Sequence, residues 1–283
     1  MRRLWRRRAS SADATPSTTT EVPQPRYFFI HVMKTAGRTL LRHFRGNFEL
    51  DEMYPYGKLD IRYDGDQVDI HHHLDVACLL RLPDERVRRI RVYSGHYPYV
   101  ASELLGDDFI RLTLLRDPVD RTISLLRQFR RKDPWADPNL RHSAPMEGLT
   151  LEQVYENPFV YEPLVLNHQT KIFSMTVDDP LETYMDVIDV DDSRLALAKE
   201  NLAKVDFIGL TEQYDEFLDE LTAHTGWDIL RHLRKNETPT EEIRPVSESL
   251  RRRIAADNAI DVEFYDYAKE LVASRRGRGA VTT

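Results

Sequence analysis

The sequence has only one cysteine, Cys78, among its 283 residues. One cysteine cannot form an intrachain disulfide, and scarce cysteine fits a reducing compartment, so a cytoplasmic location is expected. Cys78 lies in the apolar stretch DVACLL, where a buried structural thiol is more common than a nucleophile.

The sequence also lacks a long apolar run. None follows the basic segment MRRLWRRR at residues 1 to 8, so neither a signal peptide nor stable membrane insertion is expected. Residues 9 to 25 are rich in Ser, Thr, Pro and Ala, and a disordered tail is predicted over residues 1–25. Such a basic tail can touch nucleic acid or an anionic membrane, although a solvated tail is the simpler interpretation.

An overall positive charge is absent as well. The formal net charge is -7 at pH 7, which argues against a protein that coats nucleic acid, and no nucleic-acid partner is expected. Hydrophobic residues make up 41% and charged residues 31%, as in ordinary soluble domains. One domain is predicted over residues 26–275, with a short disordered tail over residues 276–283.

Apolar runs and helical patterns alternate from residue 26 onward. The run RYFFIHV is apolar from Tyr27 to Ile30, which is typical of a strand buried on both faces. The alternation predicts an α/β fold in a single domain, with a P-loop-like parallel β-sheet flanked by helices. In the helix PVDRTISLLRQFRRK, Asp117 suits the N-cap and Pro118 the first helical position. Three further strands are predicted in RRIRVYSGH, DFIRLTLLRDP and KVDFIGLTE, and helices in TLLRHFRGNF, TEQYDEFLDELTAHTG and RRIAADNAIDVEFYDYAKELVASRR.

The segment HVMKTAGRTL, after the first strand, has the composition of an anion-binding loop. Gly37 allows close approach of the backbone, Lys34 supplies a charge, and Thr35 and Thr39 supply hydroxyl groups. Unpaired N–H groups and the positive end of the helix dipole favour phosphate or sulfate at such a position. No GxxxxGK[ST] pattern is present, which argues against a Mg²⁺-nucleoside triphosphate. The alternative is an ordinary strand-to-helix turn with a surface lysine.

A second anion site is predicted in RLTLLRDPVDRTISLL. Arg116 ends a strand, and Ser124 follows eight residues later in the second turn of a helix. A guanidinium fork and a hydroxyl group can bind one phosphate from these two elements. The alternative is that Arg116 pairs with Asp117 or Asp120.

Together these two segments resemble the sulfotransferases that use 3'-phosphoadenosine 5'-phosphosulfate (PAPS). The first is similar to their 5'-phosphosulfate loop, although Met33 and Arg38 depart from its usual pattern, and the second is similar to their 3'-phosphate segment. YSGHYPY, NHQTKIFS and FIGLTEQYDEFLDEL resemble the carbohydrate branch that includes heparan sulfate 2-O-sulfotransferases. The resemblance covers about residues 26 to 272. It implies donor binding by Lys34, Thr35, Ala36, Gly37, Arg38, Thr39, Arg116, Ser124 and Lys235, with Arg234 as an equal alternative to Lys235 in a closing loop.

A catalytic base is sought among the ten histidines. His96 follows Gly95 at a predicted strand end, and in the carbohydrate branch a His in this Gly-His context is the base; a turn histidine bonded to backbone is the alternative. His31, inside the first strand, is expected to be buried. The run His71, His72 and His73 is not expected to bind zinc, because adjacent side chains point in different directions.

The expected function is metal-independent, in-line transfer of a sulfuryl group from PAPS to a hydroxyl of a carbohydrate or other small acceptor, such as a glycan or glycolipid. His96 would accept the acceptor's proton and Lys34 would stabilise the leaving oxygen. The segment NHQTK is expected to border the cleft and help to position acceptor or donor. The alternatives are a P-loop-like kinase and a non-catalytic nucleotide-binding relative. A homodimer is left open.

Overall fold

A computed structural model describes residues 24–55, 63–64, 67–68, 76–106, 108–130, 146, 148–182, 185–229 and 245–279 of the chain. Lys235, Arg234 and the histidine run at residues 71–73 lie outside the described residues.

The centre of the fold is a five-stranded sheet in the order β2-β5-β1-β6-β7, and every neighbouring pair in it is parallel. A separate antiparallel pair joins β3 and β4. The predicted α/β class, with a parallel sheet flanked by helices, is confirmed. The strands are β1 Arg26–Ile30, β2 Met53–Tyr54, β3 Tyr63–Asp64, β4 Gln67–Val68, β5 Val92–Tyr93, β6 Phe109–Leu115 and β7 Phe207–Leu210.

Helices connect and cover these strands. They are α1 Gly37–Asn47, α2 Val76–Leu80, α3 Asp84–Arg89, α4 Tyr99–Leu105, α5 Pro118–Arg130, α6 Leu151–Tyr155, α7 Pro158–Val160, α8 His168–Ser174, α9 Asp192–Ala203, α10 Tyr214–Thr225, α11 Glu248–Asp257 and α12 Ala259–Gly279. A π-helical segment, Tyr161–Val165, joins α7 to α8. Within the described ranges, no helix combines the length and apolar character needed to cross a bilayer.

The strand β1 is buried on both of its faces, as its continuous apolar sequence predicts. Phe28 and Ile30 pack in one hydrophobic cluster, while Tyr27 and Phe29 pack in the other. Because successive side chains of a strand point to opposite faces, this division places β1 between two helical layers. The loop that follows β1 therefore emerges from the centre of the sheet.

Two predicted elements differ from the observed ones. The second strand is only Val92–Tyr93. Residues 88–89 of the predicted strand belong to α3, and the chain bends at Gly95, where an added Cβ would lie 2.2 Å from Tyr97 Cε2. The closing helical segment is two helices, which separate at Asn258. The predicted cap is confirmed, since Asp117 Oδ1 accepts the Asp120 N–H at 3.0 Å.

Gly209 in β7 tests how tightly the sheet packs on α10. A Cβ at this position would lie 2.4 Å from Leu114 Cδ2 and 2.7 Å from Phe217 Cγ, and both of those side chains are fully buried. We expect Gly209→Ala to lower the free energy of unfolding by about 1–3 kcal/mol, as overpacking does. Urea denaturation measures the change.

Gly46 provides the matched control. It is exposed on α1, and no atom would lie within 4 Å of an added Cβ. Gly46→Ala should raise the free energy of unfolding by up to about 1 kcal/mol, because alanine favours helix. Equal effects of the two substitutions would contradict the packing described for β7.

Candidate functional site

The two predicted anion segments lie side by side because β1 and β6 are adjacent and parallel. Ile30 near the end of β1 stands opposite Thr113 in β6, so the loops that follow both strands leave the same edge of the sheet. Arg116 Nη1 donates a long hydrogen bond, 3.4 Å, to the carbonyl of Lys34. We call residues 32–38 the anion loop.

The backbone of the anion loop is shaped to present N–H groups. Lys34 and Ala36 have left-handed backbone conformations, with φ of 69° and 67°, which residues other than glycine seldom adopt. Within the described residues, the N–H groups of Thr35, Ala36, Gly37 and Arg38 donate no hydrogen bond. These four donors stand at the N-terminus of α1, where unpaired N–H groups and the helix dipole favour an anion.

The side chains of the anion loop are held in different ways. Thr35 is buried and its hydroxyl donates to the carbonyl of Val32 at 2.9 Å, so it stabilises the loop from beneath. Lys34 Nζ donates to Gln128 Oε1 at 2.6 Å. Arg38 is exposed, and Met33 packs against the cluster that contains residues of α5. Packing thus anchors Met33, one of the two positions that depart from the usual pattern of the loop.

Arg116 keeps hydrogen-bonding capacity for a ligand. Its guanidinium makes no ion pair in the described part of the chain, and its buried Nε has no partner there. The alternative carboxylates are engaged elsewhere: Asp117 caps α5, and Asp120 pairs with Arg251 at 3.0 Å. An unpaired buried guanidinium nitrogen is costly, and an anion would satisfy it.

The face of α5 that carries Ser124 also carries Gln128, one turn later. Gln128 holds the Lys34 amine, so this face is turned toward the anion loop. Among the described residues the Ser124 hydroxyl finds no hydrogen-bond partner, which leaves it available to a ligand. Gln128 is not among the predicted site residues, although its spacing of four from Ser124 on a helix would have placed it on the same face.

His96 is oriented by the end of β1. Its Nδ1 lies 2.8 Å from the carbonyl of His31, and its ring stacks on the His31 ring with centroids 4.3 Å apart. A carbonyl can only accept, so Nδ1 carries the proton and Nε2 is left as the acceptor that a general base requires. Burial lowers the pKa of His96, and the bond to the His31 carbonyl opposes that shift.

His31 connects this base to the anion loop. A Cβ on Gly37 would lie 2.2 Å from two atoms of the His31 ring, so only glycine permits the observed contact. His31 is buried, as expected. The structure therefore joins His96 to the loop through His31, and it joins Arg116 and the Ser124 face to the loop through Lys34.

Buried cations surround the carbonyl end of the π-helical segment. Arg121 Nη2 donates to the Leu164 carbonyl at 2.8 Å, and Lys171 Nζ donates to the Pro163 carbonyl at 2.6 Å. Burial lowers the pKa of Arg121 to about 10 and that of Lys171 to about 8. His168, also buried, has its pKa held well below the usual value by burial and by these two cations. The sequence analysis singles out the segment NHQTK, which contains His168 and Lys171, but it assigns no role to Arg121.

The segment NHQTK forms the start of α8 and contacts Arg116 directly. The Gln169 side chain hydrogen-bonds the backbone of Arg116, whereas Lys171 points to the π-helical segment. In the described residues no group of three or more His, Cys, Asp or Glu side chains is placed to hold a metal ion.

The similar proteins are sulfotransferases. No family model matches the sequence. The chain is 28% identical to heparan-sulfate 6-O-sulfotransferase 2 from Gallus gallus, over 87% of the chain and 66% of that relative. It is 29% identical to heparan-sulfate 6-O-sulfotransferase 1 from Homo sapiens over 87% and 65%, and 29% identical to the 1-B protein from Danio rerio over 59% and 44%. It thus spans less than two thirds of these relatives' lengths.

The relatives confirm the predicted resemblance to carbohydrate sulfotransferases. They correct its finer part, because they are 6-O-sulfotransferases, whereas the sequence motifs suggested the 2-O branch. Over most of its length, the chain is similar to the heparan-sulfate 6-O-sulfotransferases.

Proposed function

We propose that the chain transfers a sulfuryl group from PAPS to a hydroxyl of a carbohydrate. The observation that supports this most is the contact between two anion-binding elements. Four unpaired N–H groups of the anion loop lie beside Arg116, whose Nε has no partner in the described chain. PAPS has a 5'-phosphosulfate and a separate 3'-phosphate, so its two anionic groups match two neighbouring sites. The names of the relatives support the same reaction.

The residues of the site suit this donor. The N–H groups of Thr35 to Arg38 would hold the phosphosulfate, while Arg116 and Ser124 would hold the 3'-phosphate. When bound, the donor supplies an activated sulfuryl group on a phosphate leaving group. The Lys34 amine, kept near the loop by Gln128, would stabilise charge on that phosphate.

His96 is the proposed base. Its Nε2 would take the proton from the acceptor hydroxyl while Nδ1 stays bonded to the His31 carbonyl. Because Nδ1 donates its proton to the His31 carbonyl, Nε2 is the ring nitrogen that can accept the acceptor's proton.

The kinase alternative receives less support from the site. A kinase needs an acid near the strand ends to hold Mg²⁺. The two acids beside Arg116 are committed to backbone N–H groups: Asp117 accepts from Asp120, and Glu212 accepts from Asp117 at 3.3 Å. A non-catalytic relative would retain the donor site, and a transfer assay separates it from an enzyme.

The acceptor is proposed to be an anionic glycan, with the 6-hydroxyl of a heparan-sulfate-like chain as the first candidate. The relatives' names supply the candidate. The helix α1 adds an electrostatic reason, because Arg38, Arg42 and Arg45 follow helical spacing and no acid is present in it. Arg38, at the start of α1 in the anion loop, and Arg45, in the last turn of α1, are both exposed. Homodimer formation and the cytoplasmic location stay predictions.

Donor binding tests the proposal first. We expect calorimetry to show that adenosine 3',5'-bisphosphate binds more tightly than ATP. Arg116→Met should weaken bisphosphate binding by about tenfold or more, because a charged hydrogen-bond partner of the phosphate is lost. Arg111→Met is the control, since Arg111 lies within β6, before Arg116, and donates to the Ser102 hydroxyl. Tighter binding of ATP than of the bisphosphate would overturn the proposed donor.

Lys34 tests catalysis. Lys34→Ala should lower kcat by about 100-fold or more at saturating donor, as removal of one oxyanion donor does. The measurement is transfer of labelled sulfate to a panel that includes heparan sulfate, other glycans and phenols. Lys199→Ala, which removes a lysine paired with Glu263 on the surface, is the control. Near-normal turnover of the Lys34 variant is the result that excludes the assigned role.

His96 predicts the pH dependence. A base acts in its neutral form, which dominates above its pKa, and burial lowers that pKa below the usual 6.5. We therefore expect the acid limb of the kcat/KM profile to be centred below pH 6.5. His96→Asn should remove this acid limb and reduce kcat/KM by about 10²–10⁴-fold. An acid limb centred above pH 7, or one retained in the variant, would rule out His96 as the base.

A further inference from the structure

The backbone of Arg116 is held by the side chain of Gln169, which bonds both its N–H and its carbonyl. The Arg116 N–H donates to Gln169 Oε1 at 3.1 Å, and Gln169 Nε2 donates to the Arg116 carbonyl at 2.8 Å. Both backbone groups of one residue are thus paired by one carboxamide, immediately after β6 ends at Leu115. Only a carboxamide supplies a donor and an acceptor at this spacing, because a carboxylate accepts but does not donate.

Gln169 is in turn fixed by Asp261, which lies on α12. Asp261 Oδ2 accepts the Gln169 N–H at 3.0 Å, and Asp261 Oδ1 accepts the N–H of Thr170 at 2.7 Å. The Thr170 hydroxyl also donates to Oδ1, at 2.7 Å. Asp261 is fully buried and caps the first turn of α8 from a distant part of the chain.

The capping between α8 and α12 is reciprocal. The side chain of Asn167, just before α8, accepts the Asp261 N–H at 3.0 Å in the first turn of α12. The Asn167 N–H donates to Asn258 Oδ1 at 2.8 Å. Each helix start therefore supplies acceptors to the other, so their relative position is fixed within hydrogen-bonding tolerance.

A second set of hydrogen bonds links α12 to Asp117, the residue that follows Arg116. The Tyr265 hydroxyl donates to Glu212 Oε2, and Glu212 Oε1 accepts the N–H of Asp117 at 3.3 Å. Two successive backbone N–H groups, those of Arg116 and Asp117, are thus bound by side chains that α12 holds in place.

We propose that Gln169 is a positioning residue for Arg116, and that Asp261 holds Gln169 in the place this role requires. This inference rests on the proposed function, because it assigns Arg116 to the donor's 3'-phosphate. Gln169 fixes the backbone from which the guanidinium extends, so its loss lets the guanidinium leave the 3'-phosphate. The loss should therefore lower selectivity for a 3'-phosphate rather than affinity for every adenine nucleotide.

The test compares two ligands by calorimetry, adenosine 3',5'-bisphosphate and adenosine 5'-monophosphate. The ratio of their affinities reports the 3'-phosphate contact, whereas general loosening of the fold weakens both ligands alike. Gln169→Met keeps the side-chain length and removes both hydrogen bonds to Arg116. We expect it to lower the ratio by about tenfold, the size of one lost bond to a charged group.

Asn201→Met is the matched control. Asn201 is a buried carboxamide that donates to the Phe173 carbonyl at 2.9 Å, at the other end of α8. Its substitution removes a comparable side-chain-to-backbone bond and should leave the ratio unchanged. Thermal denaturation of each variant shows how far its fold is weakened.

Arg116→Met and the double variant with Gln169→Met separate the possible failures. If Gln169 acts through Arg116, the double variant loses no more of the ratio than Arg116→Met alone. A wild-type chain without preference for the bisphosphate would refute the proposed function. A preference that Arg116→Met abolishes and Gln169→Met leaves intact would refute only the positioning role. Should Gln169→Met not fold, Asp261→Asn is measured in its place, with a lowered ratio expected and a wild-type ratio refuting the role.

Discussion

The candidate site depends on the hydrogen bonds between the buried carboxylate of Asp261 and the start of α8. It has no contact with solvent, and three hydrogen bonds from Gln169 and Thr170 stabilise it. Burial raises the pKa of Asp261, while Arg121 and these donors lower it. A buried charge is tolerated only when it is well bonded, and removing one partner of such a group is costly. The same bonds that stabilise the charge also fix the start of α8 against α12, and α8 carries the Gln169 side chain that binds the Arg116 backbone.

The anion loop shows a second constraint, in which backbone strain is offset by packing. Left-handed conformations at Lys34 and Ala36 cost about 1–2 kcal/mol each relative to ordinary backbone. Below the loop, the His31 ring packs against Gly37 and stacks on His96, and Thr35 bonds the Val32 carbonyl. These contacts hold the N–H groups in one arrangement before a ligand arrives, which reduces the ordering that binding requires.

Sequence patterns predict the parts of this protein that rest on local rules. The buried strand at Arg26–Ile30, the cap by Asp117 and the adjacency of Lys34 and Arg116 all follow from periodicity, capping and parallel-strand geometry. The short second strand does not follow, because a ring packed on Gly95 ends it. Nor do the links from Gln169 and Asp261. The resemblance marks NHQTK as a segment that borders the cleft, but no local pattern shows that Gln169 binds Arg116 or that Asp261 binds Gln169. The roles of His96, Ser124 and the other site residues remain predictions from the motifs.

The bond between Asp261 and Gln169 has a consequence for how the protein matures. The two residues are 92 positions apart, and Gln169 is a further 53 positions from Arg116. Such distant pairings form slowly, and synthesis delivers the N-terminal elements first. A nascent chain can pair β1 with β6 and form the anion loop while α12 is still inside the ribosome. That chain already has both motifs but lacks the carboxylate that orders the start of α8. Under the proposed function, selectivity for the 3'-phosphate therefore becomes complete only after α12 has been synthesised and has docked on α8.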